Sequence, residues 1–446
     1  MNNTHWKDFF AGKTVTQMGL GLLGRGVNDA LFLSEYCKEV IVTDLKSREE
    51  LDESVQQLAG RDNITLVLGE HRLEDFSDRD FILRGAGVPL VNQYIDHAKA
   101  QNIPIYMDEA LFSLLAPGVR TVGITGTRGK TTTTMLLYHI LQSAQVTVHL
   151  GGNIRGIATL PLLELVAPGD AVLMELSSWQ LQGFGDLDIS PRFSAFTNFY
   201  DDHLDYYADD EDLYFKDKSY IYTHQKETDV LVLGGGLGSL YRDRIHDEAP
   251  SDISVAPAVV FDYTAPLSLI GEHNQRNIEV AAFLAQKLGI SDPEIIRGIE
   301  TFPGVEGRLE YMREVHGVAY FNDNNATTED ATLAAISALS DMYPSITLLF
   351  GGADKELSVA AALRAIERSV DTVIMLPGSG TDRIRADINA KKQVLEASSM
   401  QEAVHLSAKE TPSGGVVILS PGFASFRLFV NEYDRNDQYV QAVSQL

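Results

Sequence analysis

The chain of 446 residues has one cysteine, Cys37, and lacks any apolar run near the roughly 18 residues needed to cross a bilayer. A single thiol excludes an intrachain disulfide and a zinc site built from several thiolates, and it is typical of a reducing compartment. The first residues, MNNTHWKDFFAGK, lack the basic stretch and the apolar segment of a secretory signal. We therefore expect a cytoplasmic protein that does not enter a membrane.

Basic residues are scarce, since 36 Lys and Arg face 62 Asp and Glu and leave a formal charge of -26. Such a charge repels nucleic-acid phosphates, and the chain has no block of Lys or Arg that would form a local basic surface. We therefore expect neither nucleic acid nor an anionic membrane as a partner. With 44% hydrophobic and 22% charged residues the composition is that of a globular protein.

A glycine-rich turn within residues 121–134, TVGITGTRGKTTTT, lies between a predicted buried strand and a predicted helix. Backbone N–H groups of such a turn and the helix N-terminus bind phosphate oxygens. Lys130 would reach the outer phosphates of a nucleotide, and the Thr131 hydroxyl would bind Mg²⁺. The strict GxxxxGK[ST] pattern fails by one residue, because Ile124 occupies the first glycine position. The alternative interpretation is an ordinary glycine-rich turn, which the Gly-Lys-Thr at the helix start disfavours.

A second glycine motif follows the first predicted strand, where Gly19, Gly21 and Gly24 form GxGxxG and Asp44 ends the next predicted strand. This spacing is that of a dinucleotide-binding turn. Taken alone it supports an NAD-dependent oxidoreductase, but an isolated GxGxxG is weak evidence.

Short apolar strands alternate with amphipathic helices along the whole chain, as in SITLLFGG and GVVILSPG near the end. This alternation predicts α/β folding, and the length predicts about three domains. We expect a Rossmann-like N-terminal domain over residues 1–109, a central P-loop ATPase-like domain over residues 110–304 and a C-terminal Rossmann-like domain over residues 305–446.

The loop TGTRGKT resembles the phosphate loop of the Mur ligase family, ATP-dependent enzymes that form amide bonds. Segments similar to the D-glutamate-adding members follow in order along the chain: GGNIRG, MELSSWQLQ, NFYDDHLDYY, GEHNQRN, FPGVEGRLE, NDNNATT, GGADK and SPGFASF. The resemblance therefore covers essentially the whole chain. It implies a monomeric ligase that joins D-glutamate to UDP-N-acetylmuramoyl-L-alanine through an acyl phosphate, in peptidoglycan biosynthesis.

The resemblance also implies a catalytic set and two Mg²⁺ sites. The implied catalytic residues are Lys130, Glu175, His203 and Lys218, and the implied metal ligands are Thr131, Glu175, His203 and Lys218. Lys218 would act as a carbamate, because addition of CO₂ turns the amine into a carboxylate-like oxygen ligand. Lys216 is the competing lysine, and the segment KSYIY that begins at Lys218 favours Lys218.

Further contacts are implied for each small-molecule partner. ATP would meet Gly126, Thr127, Arg128, Gly129, Lys130, Thr131, Thr132, Asn274, Asn277, Arg308 and Asp323. The UDP-sugar and the amino acid would meet Leu22, Leu23, Asp44, Lys46, Gly87, Asn153, Ser177, Gln180, Thr327, Lys355, Ser425 and Phe426. Of these, Leu22, Leu23, Asp44, Lys46 and Gly87 would surround the uridine diphosphate, and Lys355 and Ser425 would bind the carboxylates of the amino acid.

The sequence departs from the family pattern at the amino-acid site. Asn325 occupies the place of a usual lysine, and Glu432 stands where an aromatic residue is common. A sister ligase with another amino-acid specificity, such as L-glutamate, therefore stays open. A P-loop nucleotide hydrolase would leave the GxGxxG turn without a role, and an oxidoreductase would leave the phosphate loop without one.

Overall fold

The computed structural model describes residues 5–22, 24–200, 202, 206–240, 244–245, 249, 252–256, 262–264, 267–388 and 392–446. The chain forms two compact units, Met1–Phe261 with Glu279–Gly298 and Asp262–Ile278 with Ile299–Leu446. Within the described ranges, no helix is long and apolar enough to span a membrane.

The first sheet has five parallel strands in the order β3-β2-β1-β4-β5. The strands are β1 (Thr14–Met18), β2 (Glu39–Asp44), β3 (Ile64–Leu68), β4 (Phe81–Arg84) and β5 (Ile105–Tyr106). The helices of this region are α1 (His5–Phe10), α2 (Arg25–Tyr36), α3 (Asp52–Gln57), α4 (Gln93–Ala100) and α5 (Asp108–Leu115). The strand order reverses between β1 and β4, and ligands of open parallel sheets bind at the carboxyl edge at such a point.

The second sheet has six parallel strands in the order β11-β10-β9-β6-β8-β7. The strands are β6 (Arg120–Thr125), β7 (Val148–Gly152), β8 (Ala171–Glu175), β9 (Phe193–Phe196), β10 (Val230–Leu233) and β11 (Asp252–Val255). The helices that follow are α6 (Lys130–Ser143), α7 (Ser178–Asp186), α8 (Glu211–Ser219), α9 (Glu272–Lys287) and α10 (Asp292–Glu300). Strand β6 is fully flanked, by β8 and β9, so its carboxyl end lies at the middle of the sheet edge.

The third sheet has the order β12-β13-β17-β14-β15-β16, and only the β12–β13 pair is antiparallel. Its strands are β12 (Glu310–Val315), β13 (Val318–Asn322), β14 (Ile346–Phe350), β15 (Thr372–Met375), β16 (Gln393–Glu396) and β17 (Val416–Leu419). Its helices are α11 (Glu329–Ser340), α12 (Ala360–Ser369), α13 (Ser379–Ile384), α14 (Met400–Glu410) and α15 (Glu432–Ser444).

Side-chain alternation along the central strands divides the third core into two layers. Leu348 and Phe350 join one apolar cluster, whereas Leu349 joins the cluster on the opposite face of the sheet. Both faces of the sheet are therefore buried, which is the condition that parallel strands require.

The predicted α/β class is confirmed, with each of the two glycine-rich turns following the first strand of its sheet. One continuous apolar cluster contains residues of the first and second sheets and of their helices, among them Val15 of β1, Phe112 of α5 and Phe196 of β9. The lone Cys37 is buried in the same cluster. Helix α5 begins one residue before the predicted boundary at residue 109, and the boundaries 1–109, 110–304 and 305–446 stay predictions.

Candidate active site

The phosphate loop connects strand β6 to helix α6 through two glycines with positive φ angles. Gly126 has φ 148° and Gly129, the residue before the helix, has φ 79°. The Lys130 Nζ donates hydrogen bonds to the carbonyl oxygens of Gly126 at 2.9 Å and of Thr127 at 3.1 Å. The lysine is thereby folded back over its own loop.

The two residues that follow neighbouring strand β9, Thr197 and Asn198, fix the shape of this loop. The Asn198 carbonyl accepts from Thr127 N at 3.0 Å, and the Asn198 side-chain oxygen accepts from Arg128 N at 2.8 Å. The Thr197 hydroxyl donates to the Arg128 carbonyl at 2.7 Å. A Cβ on Gly126 would lie 2.0 Å from that hydroxyl oxygen, so the turn admits only glycine at this position. The loop is therefore preformed for an anionic ligand.

Lys218 lies against the same loop, although helix α8 carries it there from a distant part of the sequence. Its Nζ donates to the Gly126 carbonyl at 2.9 Å and lies 4.7 Å from the centre of the Tyr214 ring. The residue is 2% exposed, and burial, aided by the charge of Lys130, holds the pKa of Lys218 well below its usual value. The competing Lys216 is exposed. Of these two lysines, Lys218 is therefore the one whose amine is buried next to the loop.

Glu175 ends strand β8 beside the phosphate loop and is 3% exposed. Its Oε1 accepts from the Asn153 side chain at 3.3 Å, whereas its Oε2 is buried and has no hydrogen-bond partner among the residues that the structure describes. A buried carboxylate oxygen without a partner is costly unless a ligand satisfies it. The predicted ligands Thr131 and Glu175 are hard oxygen donors, which Mg²⁺ prefers, so this edge fits the ion.

The fourth predicted metal ligand and catalytic residue, His203, lies outside the described residues, as does Leu23. Among the residues that the structure does describe, no group of three or more His, Cys, Asp or Glu side chains is arranged to hold a metal.

A cavity of about 650 Å³ opens at the carboxyl edge of the first sheet, where the strand order reverses. Its wall includes Asp44, Lys46 and Gly87, and the predicted contact residue Leu22 stands at its rim, 60% exposed. The volume lies within the range of ordinary small-molecule sites.

Asp44 organises the glycine-rich turn of this cavity. Its carboxylate accepts from Leu20 N at 2.9 Å, Gly21 N at 3.0 Å and Lys46 N at 2.9 Å. Burial alone would raise the pKa of Asp44, but these three backbone bonds outweigh burial and hold it below its usual value. The ionised Asp44 carboxylate therefore stabilises the conformation of the turn.

Among the wall residues that were not predicted as site residues are His71, Tyr94 and Arg25. The rings of His71 and Tyr94 meet edge to face with centres 5.2 Å apart, and Arg25 is the first residue of helix α2. The Arg25 Nη1 lies 3.4 Å from the Gly152 carbonyl oxygen. Arg25 could have been predicted as a site residue because it directly follows the GxGxxG turn, whereas nothing in the local sequence marks His71 or Tyr94.

Ser177 and Gln180 form a capping box at the start of helix α7. The Ser177 hydroxyl accepts from Gln180 N at 3.3 Å, and the Gln180 side-chain oxygen accepts from Ser177 N at 2.9 Å. The Gln180 amide also donates to Glu109. Both predicted substrate residues thus have a structural task that the S-x-x-Q spacing explains.

The second compact unit brings together two of the predicted amino-acid contacts. The Lys355 Nζ donates to the Thr327 hydroxyl at 2.9 Å. Ser425 is buried, whereas Phe426 is 59% exposed. Asn325 donates from its backbone N–H to the Gly307 carbonyl at 2.9 Å, and Glu432 is exposed at the start of helix α15.

The predicted ATP contacts of this unit are largely buried. Asp323 accepts from the Ser420 hydroxyl and from Leu309 N, each at 3.0 Å, and burial raises the pKa of its carboxyl to about 7. The positive charge of Arg308 lowers the pKa of the same carboxyl and so offsets part of the effect of burial. Asn277 donates to the Asn274 side-chain oxygen at 3.0 Å.

The comparisons with known proteins cover the whole chain. Residues 124–235 match the Mur ligase middle domain, and residues 307–423 match the domain described as "Mur ligase, glutamate ligase domain". Proteins named UDP-N-acetylmuramoylalanine--D-glutamate ligase are similar along their full lengths. That of Roseiflexus sp. is 33% identical over 97% of this chain and 98% of its own, and that of Clostridium kluyveri is 31% identical over 100% and 99%.

Solved structures of related ligases share the fold. The UDP-N-acetylmuramate-alanine ligase MurC of Thermotoga maritima superposes with a TM-score of 0.61 at 16% identity, over 97% of this chain and 99% of its own. The MurF ligase of Thermotoga maritima in complex with ADP gives a TM-score of 0.62 at 17% identity, over 98% and 96%.

The variant Gly126→Ala is expected to lose nucleotide binding, because its Cβ would lie 2.0 Å from the Thr197 hydroxyl oxygen. Calorimetric titration with ADP measures the effect, and thermal unfolding checks the fold. Gly118→Ala is the matched control, since its Cβ would meet Pro168 at an ordinary 3.5 Å. Wild-type ADP affinity in Gly126→Ala would contradict the assignment of this loop.

Proposed function

The chain belongs to the Mur ligase family, and on that premise we propose that it joins D-glutamate to UDP-N-acetylmuramoyl-L-alanine in peptidoglycan biosynthesis. The protein is an ATP-dependent ligase. The observation that carries the substrate proposal is the presence, in one compact unit, of a preformed phosphate loop and a separate glycine-lined cavity of nucleotide size. A simple nucleotide hydrolase has no use for that cavity, and an oxidoreductase has no use for the loop.

The proposed reaction has two chemical steps. The alanine carboxylate oxygen first forms a bond to the γ-phosphorus of ATP while the bond to ADP breaks, which gives an acyl phosphate. The glutamate nitrogen then attacks the acyl carbon, and phosphate leaves as the carbon–oxygen bond breaks and the nitrogen loses a proton. Catalysis of phosphoryl transfer depends mainly on positioning and charge compensation.

Lys130 supplies charge compensation in the first step, because its ammonium is held at the mouth of the loop by two carbonyl oxygens. Glu175 and Thr131 would hold Mg²⁺, assisted by the proposed carbamate on Lys218 and by His203. Bound Mg²⁺ supplies further neutralisation of the phosphate oxygens. The lowered pKa of Lys218 and its position against the loop support the carbamate proposal, since only an unprotonated amine adds to CO₂.

In the cavity of the first sheet we assign the uridine diphosphate to Asp44, Lys46, Gly87 and the turn after β1. In the second unit we assign the carboxylates of glutamate to Lys355, Thr327 and Ser425. The Lys355–Thr327 hydrogen bond supports this assignment because it holds a cation and a hydroxyl next to one another.

The first test is release of phosphate from ATP in the presence of UDP-N-acetylmuramoyl-L-alanine and single amino acids. Release should require both the UDP-sugar and D-glutamate. Lys130→Ala should lower kcat by about 10²- to 10³-fold, the usual loss when one group that stabilises transition-state charge is removed. Lys226→Ala, which changes an exposed lysine of the same unit, should leave it unchanged. Release with ATP alone at the full rate would favour the hydrolase.

Lys218→Ala should lower activity by about tenfold or more, because the proposed carbamate oxygens are lost from the metal site. Bicarbonate or a small carboxylate added in solution should restore part of the rate. Lys216→Ala is the matched control on the same helix and should retain activity. If Lys218→Ala is fully active, or if the loss follows Lys216, the carbamate assignment is wrong.

Lys355→Ala should weaken the use of glutamate by about ten- to a hundredfold, as expected for the loss of a charge-assisted hydrogen bond. The KM for the UDP-sugar should change little. Lys409→Ala, which changes an exposed lysine of the same unit, should change neither KM.

Asn325→Lys should lower the glutamate KM. If it does not, and another amino acid proves the better substrate of the unchanged protein, the choice of D-glutamate is wrong.

A further inference from the structure

A continuous line of hydrogen bonds connects the wall of the first-sheet cavity with the helix that carries Lys218. We propose that Gln182 is a positioning residue that couples nucleotide binding in this cavity to the placement of Lys218 at the phosphate loop. The inference deepens the proposed function and rests on it, since it takes the cavity as the site of the uridine diphosphate.

The line begins at Arg84, the last residue of strand β4, which is 1% exposed. Its Nη1 donates to the Val88 carbonyl at 2.6 Å and so holds the Gly85–Gly87 turn, part of the cavity wall, from behind. Its Nη2 donates to the Gln182 side-chain oxygen at 3.0 Å. A ligand that displaces the turn would therefore also displace the Arg84 guanidinium.

Gln182 lies on helix α7 and is 5% exposed. While its oxygen accepts from Arg84, its Nε2 donates to the Asp217 carboxylate at 2.7 Å and contacts the Tyr206 hydroxyl at 3.4 Å. The orientation of this amide is fixed by its partners, because a guanidinium only donates and a carboxylate only accepts. Glutamine thus joins a buried cation to an anion that the cation does not touch.

Two branches continue from Asp217 to the phosphate loop. The first is helix α8 itself, in which Asp217 precedes Lys218, whose Nζ donates to the Gly126 carbonyl at 2.9 Å. The second begins at the Tyr207 hydroxyl, which donates to Asp217 at 2.9 Å. The Tyr207 ring lies 5.2 Å from the Tyr214 ring, and the Tyr214 hydroxyl lies 3.3 Å from the Thr127 hydroxyl.

Coupling of this kind is reciprocal, so each ligand must strengthen the binding of the other by the same factor. Occupation of the cavity stiffens the Gly85–Gly87 turn, and Arg84 and Gln182 pass this restraint to helix α8. Occupation of the phosphate loop restrains the same helix from its other end. The contacts form one buried network, in which changes at neighbouring members are expected to be non-additive.

The test uses UDP and MgADP as probes with the full chain. UDP lacks the muramoyl-alanine part that would meet ATP directly, so any coupling between the probes must pass through the protein. The Kd of UDP is measured with and without saturating MgADP, at about pH 8, well above the usual carboxyl range. In the unchanged protein the ratio of the two Kd values should be about fivefold or more.

Three variants separate this role from a structural one. Gln182→Glu keeps the bond to Arg84 but places a carboxylate against Asp217, so the ratio should fall to about one. Asp217→Asn keeps an acceptor for Gln182 and should retain the ratio. The double variant Gln182→Glu with Asp217→Asn restores the bond with donor and acceptor exchanged, because the new amide donates to the new carboxylate, and it should recover the ratio. Thermal unfolding accompanies each variant.

The inference would be supported if the ratio of the two UDP Kd values falls to about one in Gln182→Glu and returns to the wild-type ratio in the double variant. An unchanged protein without coupling, a wild-type ratio in Gln182→Glu, or a double variant that stays as low as Gln182→Glu would overturn it. The proposed function fails separately, if the unchanged protein couples UDP to MgADP but releases no phosphate with the UDP-sugar and D-glutamate.

Discussion

The carbonyl oxygen of Gly126 accepts hydrogen bonds from two lysines, and the active edge of the second sheet is built around this contact. Burial, aided by the positive charge of Lys130 at the same oxygen, holds the pKa of Lys218 well below its usual value. A Cβ at position 126 would meet the Thr197 hydroxyl oxygen, so glycine is required where the two lysines converge. Under the proposed function, this contact places the cation that would neutralise phosphate charge next to the amine that would take up CO₂.

Local sequence was sufficient to predict the two glycine-rich turns, because each is encoded by consecutive residues after the first strand of a sheet. The family resemblance of the segment KSYIY also favoured Lys218 over Lys216, and the structure shows a physical difference between them, since Lys218 is buried against the loop and Lys216 is exposed. Arg84 and Gln182 could not be predicted to interact. They are 98 positions apart, and only the folded chain brings the end of β4 to a side chain of α7.

The second unit shows how the substituted segment at residues 323–325 is kept in shape. Arg435 is fully buried, and its guanidinium donates to the Asn324 side chain at 2.7 Å and to the Asn324 carbonyl at 2.9 Å. It also donates to the Phe423 carbonyl at 3.0 Å. The Arg435 guanidinium therefore stabilises the backbone next to Asn325 through hydrogen bonds that do not involve the side chain of residue 325. A change at that position alters the chemistry offered to the amino acid more than the path of the chain.

The single thiol, Cys37, is protected from reagents by its burial. Cys37 lies in the apolar core, and burial raises the pKa of its thiol to about 12. Because the thiolate is the form that reacts with oxidants and alkylating reagents, the native protein contains almost none of it at neutral pH. A cysteine introduced on the surface would consequently be the sole reactive thiol, so a fluorophore or spin label can be attached at one chosen position without first removing Cys37.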